Sequence, residues 1–444
     1  MTNLKKYDLI VAGGGPAGMA SAVAASRRKA KTLLIERYGF LGGEGATQLA
    51  IFGFFDKQKK RVLKGIPEEF VTLLKKIGGT TGHVMVDGAH FSSFTGTDME
   101  MFKYAAMEMV LDSGADILLH SVISDAVVDN NKITGVTVVN KSGVNIIKAN
   151  YYIDATGDGD LARFSGVPYE KGRKKDGLMQ AMSLRFRLGR VDLEKVEKLW
   201  NEGAARCKKP GEDKETFLRG GGTLGPYEKY ANKIKLFPRA NRKFWLFSMH
   251  DNEVSFNVTS VIKKDATDAY ELTEAEIEAR RHIMKIVDFL KKYVPGFEKT
   301  YIIDIAPHIG VRETRRIKGE YTLTDEDVLQ GRDFNDSIAR SGFPTDLHDP
   351  EGKGLETEPI INGGSYGIPY RILVPITIDN LLVAGRCVSA THKAISSLRV
   401  MGSCMAMGQA AGTSIALCIE GDVIPRLLNT KLLREELKKD EVIL

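Results

Sequence analysis

Residues 7–18 read YDLIVAGGGPAG, a short β-rich apolar run that empties into three consecutive glycines, and a small-residue segment at 19–27 follows. This pattern reads as a strand, a glycine turn and a helix. The G-x-G-x-x-G spacing of Gly13, Gly15 and Gly18 has a mechanical meaning: Gly13 permits the tight turn, Gly15 lets backbone N–H groups approach a pyrophosphate, and Gly18 lets the helix pack close to the strand. Pro16 and Ala17 open the helix, whose N-terminus carries partial positive charge toward the phosphates. A second strand at 31–35 ends in Glu36, placed as expected of the carboxylate that accepts ribose hydroxyls. The same glycine spacing recurs at Gly220, Gly222 and Gly225, but residues 214–219 before it are not an apolar strand and Pro226 follows, so this copy is read as a loop.

Straight after the acid, residues 37–47 (RYGFLGGEGAT) form a second glycine loop, where a nicotinamide dehydrogenase would continue into another helix. This resembles the glutathione-reductase-type FAD fold, whose members carry E-[KR]-x(3–5)-G-G here to pass the pyrophosphate and ribityl chain. The resemblance implies cofactor contacts from Arg37, Gly42, Gly43, Ala46 and Thr47. Residues 152–160 (YIDATGDGD) are similar to that fold's returning-strand ATG motif, which implies Ala155, Thr156, Gly157 and Asp160. Residues 380–389 (NLLVAGRCVS), with Gly385 and Arg386, look like its last strand and turn, and the Gly/Ala-rich helix opening at Val400 and Met401 is then aimed at the flavin. Val122, at the end of a strand expected over 116–122, joins the same set. The wording resembles a broad family of FAD-dependent oxidoreductases with a GFLGG loop (39–43), a G-x-R-[ES]-[ST]-R-R-I segment (310–317) and a GQAAG helix (408–412). It implies non-covalent FAD far more firmly than any substrate.

Composition sets the outer bounds. With 444 residues, 43% hydrophobic and 27% charged, the chain has ordinary globular proportions, and 63 basic against 57 acidic residues leave +6. The basic runs at 57–64 and 171–175 are short and separated, which argues against nucleic-acid binding. The four cysteines form no CxxC pair, and none falls within 42–56, so a flavin-linked disulfide reductase and an iron–sulfur relay are both disfavoured. The amino terminus lacks an apolar signal core, and no run of 18 or more uncharged apolar residues is recognised, so a soluble, cytoplasmic protein without membrane contact is expected.

The expected fold class is α/β: a discontinuous Rossmann-like FAD-binding domain with an inserted α+β substrate domain. Its first part spans 1–166, including a cap at 50–97. A substrate domain with an antiparallel sheet spans 167–330, a long loop region 331–370, and the last part of the flavin domain 371–444. Helices are expected over 67–76, 98–113 and 274–293, strands over 181–188, 244–250 and 253–261, and a three-stranded meander over 124–148. No second nucleotide fold shows between 162 and 371, so a separate diffusible electron donor or acceptor is required, unless the substrate serves.

A reduced flavin needs positive charge near N1/O2 and a substrate over N5. Arg399, just ahead of the last helix, is the first candidate, because in fumarate-reductase-like flavoproteins an arginine shortly before this helix binds substrate. Arg312 and Arg315 belong to the densest basic segment; Arg315 and Arg316 must point to opposite sides of an extended chain, so at most one faces the flavin. Arg371 is a possible partner. His392 is the candidate proton donor or acceptor, or else a cofactor hydrogen-bonding group. The expected activity is hydride transfer between flavin N5 and a small organic molecule; a non-catalytic flavin-binding or sensor subunit and flavin-dependent tRNA modification are the alternatives. Homo-oligomerisation is left open.

Overall fold

The computed structural model describes residues 6–47, 50–208, 215–237 and 244–444. Its organising element is a five-stranded parallel sheet built from β1 (Tyr7–Ala12), β2 (Thr32–Ile35), β3 (Asp116–Leu118), β4 (Ala149–Asp154) and β5 (Leu381–Val383), in the order β5-β4-β1-β2-β3. Strand β1 lies centrally, with Val11 opposite Ile153 on one side and Leu34 on the other. Leu9 to Ala12 are buried on both faces, which is why this strand reads as a continuous apolar run rather than an alternation.

Helix α1 (Pro16–Arg27) follows the glycine turn. Pro16 stands at its first position, where its missing N–H costs nothing, and Gly15 caps it in an extended conformation without any side-chain bond. The first-turn N–H groups are therefore free to meet a ligand. Against α1 packs a long helix, α2 (Met401–Gly421), whose Gly408 and Gly412 face the Ala17 and Ser21 carbonyls so closely that a Cβ at either position would collide. The GQAAG wording is thus explained by helix–helix contact. Residues 400–419 carry no charge, and by length and composition α2 could cross a membrane. The expectation of no such run is corrected: the segment exists, and it is buried in the core because α1 and the sheet surround it.

A second core gathers around a six-stranded antiparallel sheet of Glu202–Lys208, Glu215–Gly222, Phe244–Phe247, Glu253–Phe256, Phe186–Gly189 and Tyr301–Ile305, in that spatial order. The helix Ala269–Tyr293 buries Ala275, Ala279, Ile283, Ile286 and Leu290, a stripe of helical period. All three expected strands shorten here, 244–250 ending at Phe247. Residues 181–185 make only isolated bridges, and 257–261 leave the sheet after Phe256. The glycine triplet read as a loop is corrected in part, since Gly220 and Gly222 end the strand Glu215–Gly222 and only Gly225 opens a turn; Lys214 lies outside the described residues.

The meander is present as Val122–Asp129, Lys132–Asn140 and Gly143–Ile147. Residues 331–370 are more ordered than their Asp/Gly/Pro content suggests. Ser337–Ser341 pairs with Tyr366–Pro369, and Thr345–His348 forms a hairpin with Leu355–Glu358.

Candidate active site

A cavity of about 1010 Å³ is lined by residues from both cores. At one end lies the glycine turn, and each glycine has its own reason. Gly13 sits at φ +94°, where a Cβ would stand 2.7 Å from the Ala155 carbonyl, and a Cβ at Gly18 would collide with the Gly13 carbonyl. At Gly15 the nearest heavy atom would be 4.0 Å away, so the hydrogen that replaces a side chain there faces open space. Only Gly15 of the three is therefore glycine for the sake of something outside the polypeptide. Gly43 closes the opposite wall; a Cβ on it would lie 3.0 Å from the Gly15 Cα.

Glu36 lines the same cavity, buried to 7% exposure, its Oε2 accepting from the Gly14 N–H at 2.6 Å and its Oε1 from the Tyr38 N–H at 2.9 Å. Two backbone donors fix its orientation while the remaining lone pairs stay available to hydroxyls. Arg37 and Tyr38 continue the wall, with the Arg37 guanidinium 4.9 Å from the Tyr38 ring centroid, and Val122 joins from the meander.

The loop after β4 is held from below. Asp154 accepts from the Thr156 N–H and hydroxyl and from the Ala162 N–H, and its burial raises its pKa to about 6. Ala155, Thr156, Gly157, Asp158 and Asp160 line the cavity, as do Gly385 and Arg386. Arg386 donates to Asp158 at 2.7 Å and to the Thr314 hydroxyl at 2.9 Å.

At the far end three guanidiniums converge. Arg185 donates to Glu44 at 3.0 Å; burial works to raise the Glu44 pKa, but the charges of Arg185 and His308 outweigh it and hold the carboxyl below its usual range. Arg399 donates to the Asp346 carbonyl at 2.9 Å and carboxylate at 3.1 Å. Arg312 bonds the Ala181 carbonyl and, at 2.8 Å, the Ser183 hydroxyl. Asp346 also meets His90 at 3.5 Å and His348 at 3.7 Å. Phe91, Phe343 and Trp245 wall this end, with Arg219 4.8 Å from Phe91 and 4.7 Å from Trp245.

Ala394–Leu398 is a short helix of its own, the chain breaks at Arg399, and Val400 in extended conformation starts α2, so Val400 and Met401 line the cavity beside Arg399.

Other expected residues stand elsewhere. Gly18, Gly42, Ala46 and Thr47 back the cavity without lining it; Gly42 packs on Phe102, and Thr47 accepts from Arg185. Arg315 lies behind the loop after β4, donating to the Asp158 carbonyl and to Asp160 at 2.8 Å, while Arg316 turns the other way to Glu313, as the alternation requires. Arg371 pairs with Asp336 at 3.0 Å in a separate hollow of about 580 Å³ and does not line the cavity that holds Arg312. His392 does not line the cavity either. Its Nδ1 lies 2.8 Å from the buried Glu313 carboxylate, which corrects its assignment as proton donor or acceptor to substrate.

Sequence reading missed Glu44, Asp158, Arg185, Asp346 and His348. Asp346 and His348 alternate on the strand Thr345–His348 and so share one face, a signal hidden because 331–370 was read as a loop.

A family model described as FAD dependent oxidoreductase matches residues 8–437. The chain belongs to this family. FAD is accordingly its cofactor, and the open face of Gly15, the anchored Glu36 and the size of the cavity fit a dinucleotide held without a covalent bond; Cys387 and His392 do not line the cavity. Among curated relatives, a thiamine thiazole synthase of Methanococcus vannielii is 27% identical over 163 residues, covering 35% of this chain and 58% of that protein. A digeranylgeranylglycerophospholipid reductase of Picrophilus torridus is 26% identical over 178 residues, covering 36% and 42%. The chain thus matches only about half the length of these curated relatives. Among solved structures, the flavin-dependent brominase Bmp2 aligns over 98% of this chain and 83% of its own at 13% identity and TM-score 0.53. GidA of Aquifex aeolicus aligns over 95% and 64% at 17% identity and TM-score 0.50. These likenesses show a shared fold.

Proposed function

We propose that this FAD-dependent oxidoreductase moves a hydride between flavin N5 and a small organic molecule, using a glutathione-reductase-type flavin domain with an inserted substrate domain. The observation that carries this reading is the continuity of one cavity from the open face of Gly15 to the guanidinium cluster. Bound FAD supplies two-electron chemistry at N5. The chain's own groups do the rest. The first-turn N–H groups of α1 would hold the pyrophosphate, Glu36 would accept ribose hydroxyls, and Val400 and Met401 at the N-terminus of α2 would help hold the ring. Arg399 holds substrate or offsets developing negative charge, its direction set by Asp346.

Phe91, Phe343 and Trp245 shield the reacting end from water. A cytoplasmic setting and a separate diffusible electron partner complete the proposal. The test is anaerobic: the purified yellow protein is mixed with a metabolite panel and loss of the oxidised flavin band is followed. Bleaching by one chemical class supports hydride transfer, and a flavin that no donor or acceptor turns over at a useful rate overturns it.

A further inference from the structure

Three arginines at the far end of the cavity each have a different charge account. Arg185 has Glu44 and Arg399 has Asp346. Arg312 has neither. It is only 7% exposed, its two hydrogen-bond acceptors are the neutral Ala181 carbonyl and Ser183 hydroxyl, and among the described residues no carboxylate stands within 4 Å of it. Glu44 and Asp346 act on it only at longer range, while burial and the charges of Arg399 and Arg185 bring its pKa down to about 9. A buried cation without a counter-ion is costly, and chains keep one where a ligand completes the pair. Arg312 lines the cavity, and the neighbouring Arg399 carries a buried Nε without a partner.

The remaining groups facing this spot do not cancel the surplus. Asp346 is shared among Arg399, His90 and His348. His348 is held neutral, because burial and then the charge of Arg312 push its pKa down to about 3. Of Arg185, Arg312 and Arg399, only Arg312 has no carboxylate at ion-pair distance among the described residues, which suits one anionic group on a ligand. A planar carboxylate also matches the guanidinium fork. Phe91, Phe343 and Trp245 offer an apolar wall for the rest of such a molecule.

We propose that Arg312, with Arg399 beside it, is the carboxylate-binding site of this enzyme, and that its substrate is a small monocarboxylic acid with an apolar or aromatic body. This rests on the proposed hydride-transfer reading of the same cavity. The experiment uses the FAD-loaded protein, titrated separately with sodium benzoate and with neutral benzamide and followed by isothermal titration calorimetry and by the flavin absorption band.

Benzoate is expected to bind saturably and at least tenfold tighter than benzamide. Arg312→Gln should weaken benzoate at least tenfold while FAD content stays unchanged, and Arg312→Lys should fall between. Equal affinity for the two probes, or benzoate affinity unaltered in a flavin-replete Arg312→Gln protein, overturns the proposal. The comparison of probes on wild type decides the matter even where Arg312→Gln does not fold. Protein that discriminates benzoate from benzamide yet is reduced by no donor separates failure of the hydride-transfer reading from failure of this site.

Discussion

Gly408 lies directly against the carbonyl of Ala17, so α1 and α2 touch backbone to backbone. A methyl group at 408 has nowhere to go, since the obstacle is main chain rather than a flexible side chain. Gly408→Ala should therefore separate the helices and cost about 1–3 kcal/mol, the usual range for overpacking. Urea unfolding of the purified protein measures the loss, and an unchanged midpoint would contradict the packing described here.

Gly15 separates binding from folding. Its backbone is extended, at φ −72° and ψ −175°, and a Cβ has room within the polypeptide. Gly15→Val should give a folded but colourless protein, with a thermal melt equal to that of wild type stripped of FAD. Retention of stoichiometric FAD would move the phosphates away from this turn.

Glu36 does two jobs. Glu36→Gln keeps an acceptor for one backbone N–H but loses the charge, so charge-assisted bonds to ribose worth roughly 1.5–3 kcal/mol are weakened. FAD affinity should fall about 10- to 100-fold by quenching titration. Glu36→Ala should fall further, because the Gly14 and Tyr38 N–H groups then lose their acceptor as well.

Asp98 caps the helix Met99–Asp112 through the Glu100 and Met101 N–H groups and faces His250 at 2.7 Å. The hydrogen bond with His250 leads the causes that hold the Asp98 pKa at about 2, and the same bond raises that of His250. A raised histidine stabilises fully below its ordinary value of about 6.5 and loses that contribution as pH climbs through the folded value. The Asp98 contribution is full above about 3.9 and is lost only as pH falls toward 2. Melting temperature should thus decline modestly from pH 6 to 9. Asp98→Asn, which keeps a good cap, should flatten that decline, and Asp98→Ala should cost about 1 kcal/mol more.

Much of the flavin half was legible because its signals are local. Residues 7–36 write strand, turn, helix, strand and acid in one unbroken run; Gly13 and Gly18 there answer close contacts within the chain, and Gly15 faces the open cavity. The far end was less so, because its residues come from distant segments. Arg185, Arg312, Asp346 and Arg399 meet only through tertiary packing, and nothing near any one of them in sequence announces the others. Arg399 and Arg312 were reachable because glycines or a helix start mark their surroundings. His392 misled because its sequence neighbours lie at the flavin turn while its side chain turns inward to Glu313.

The contact between α1 and α2 also bears on how the protein is made. Helix α1 leaves the ribosome long before the surface that buries it, since Gly408 and Gly412 lie far along the chain from Pro16–Arg27. Contacts of such sequence separation form slowly, and a nascent chain holding α1 uncovered exposes Ala17, Ser21 and Ala24, the face that Gly408 and Gly412 cover, until α2 arrives. The dinucleotide cradle is thereby completed only when α2 has been made, although its glycine signature is written well before that helix.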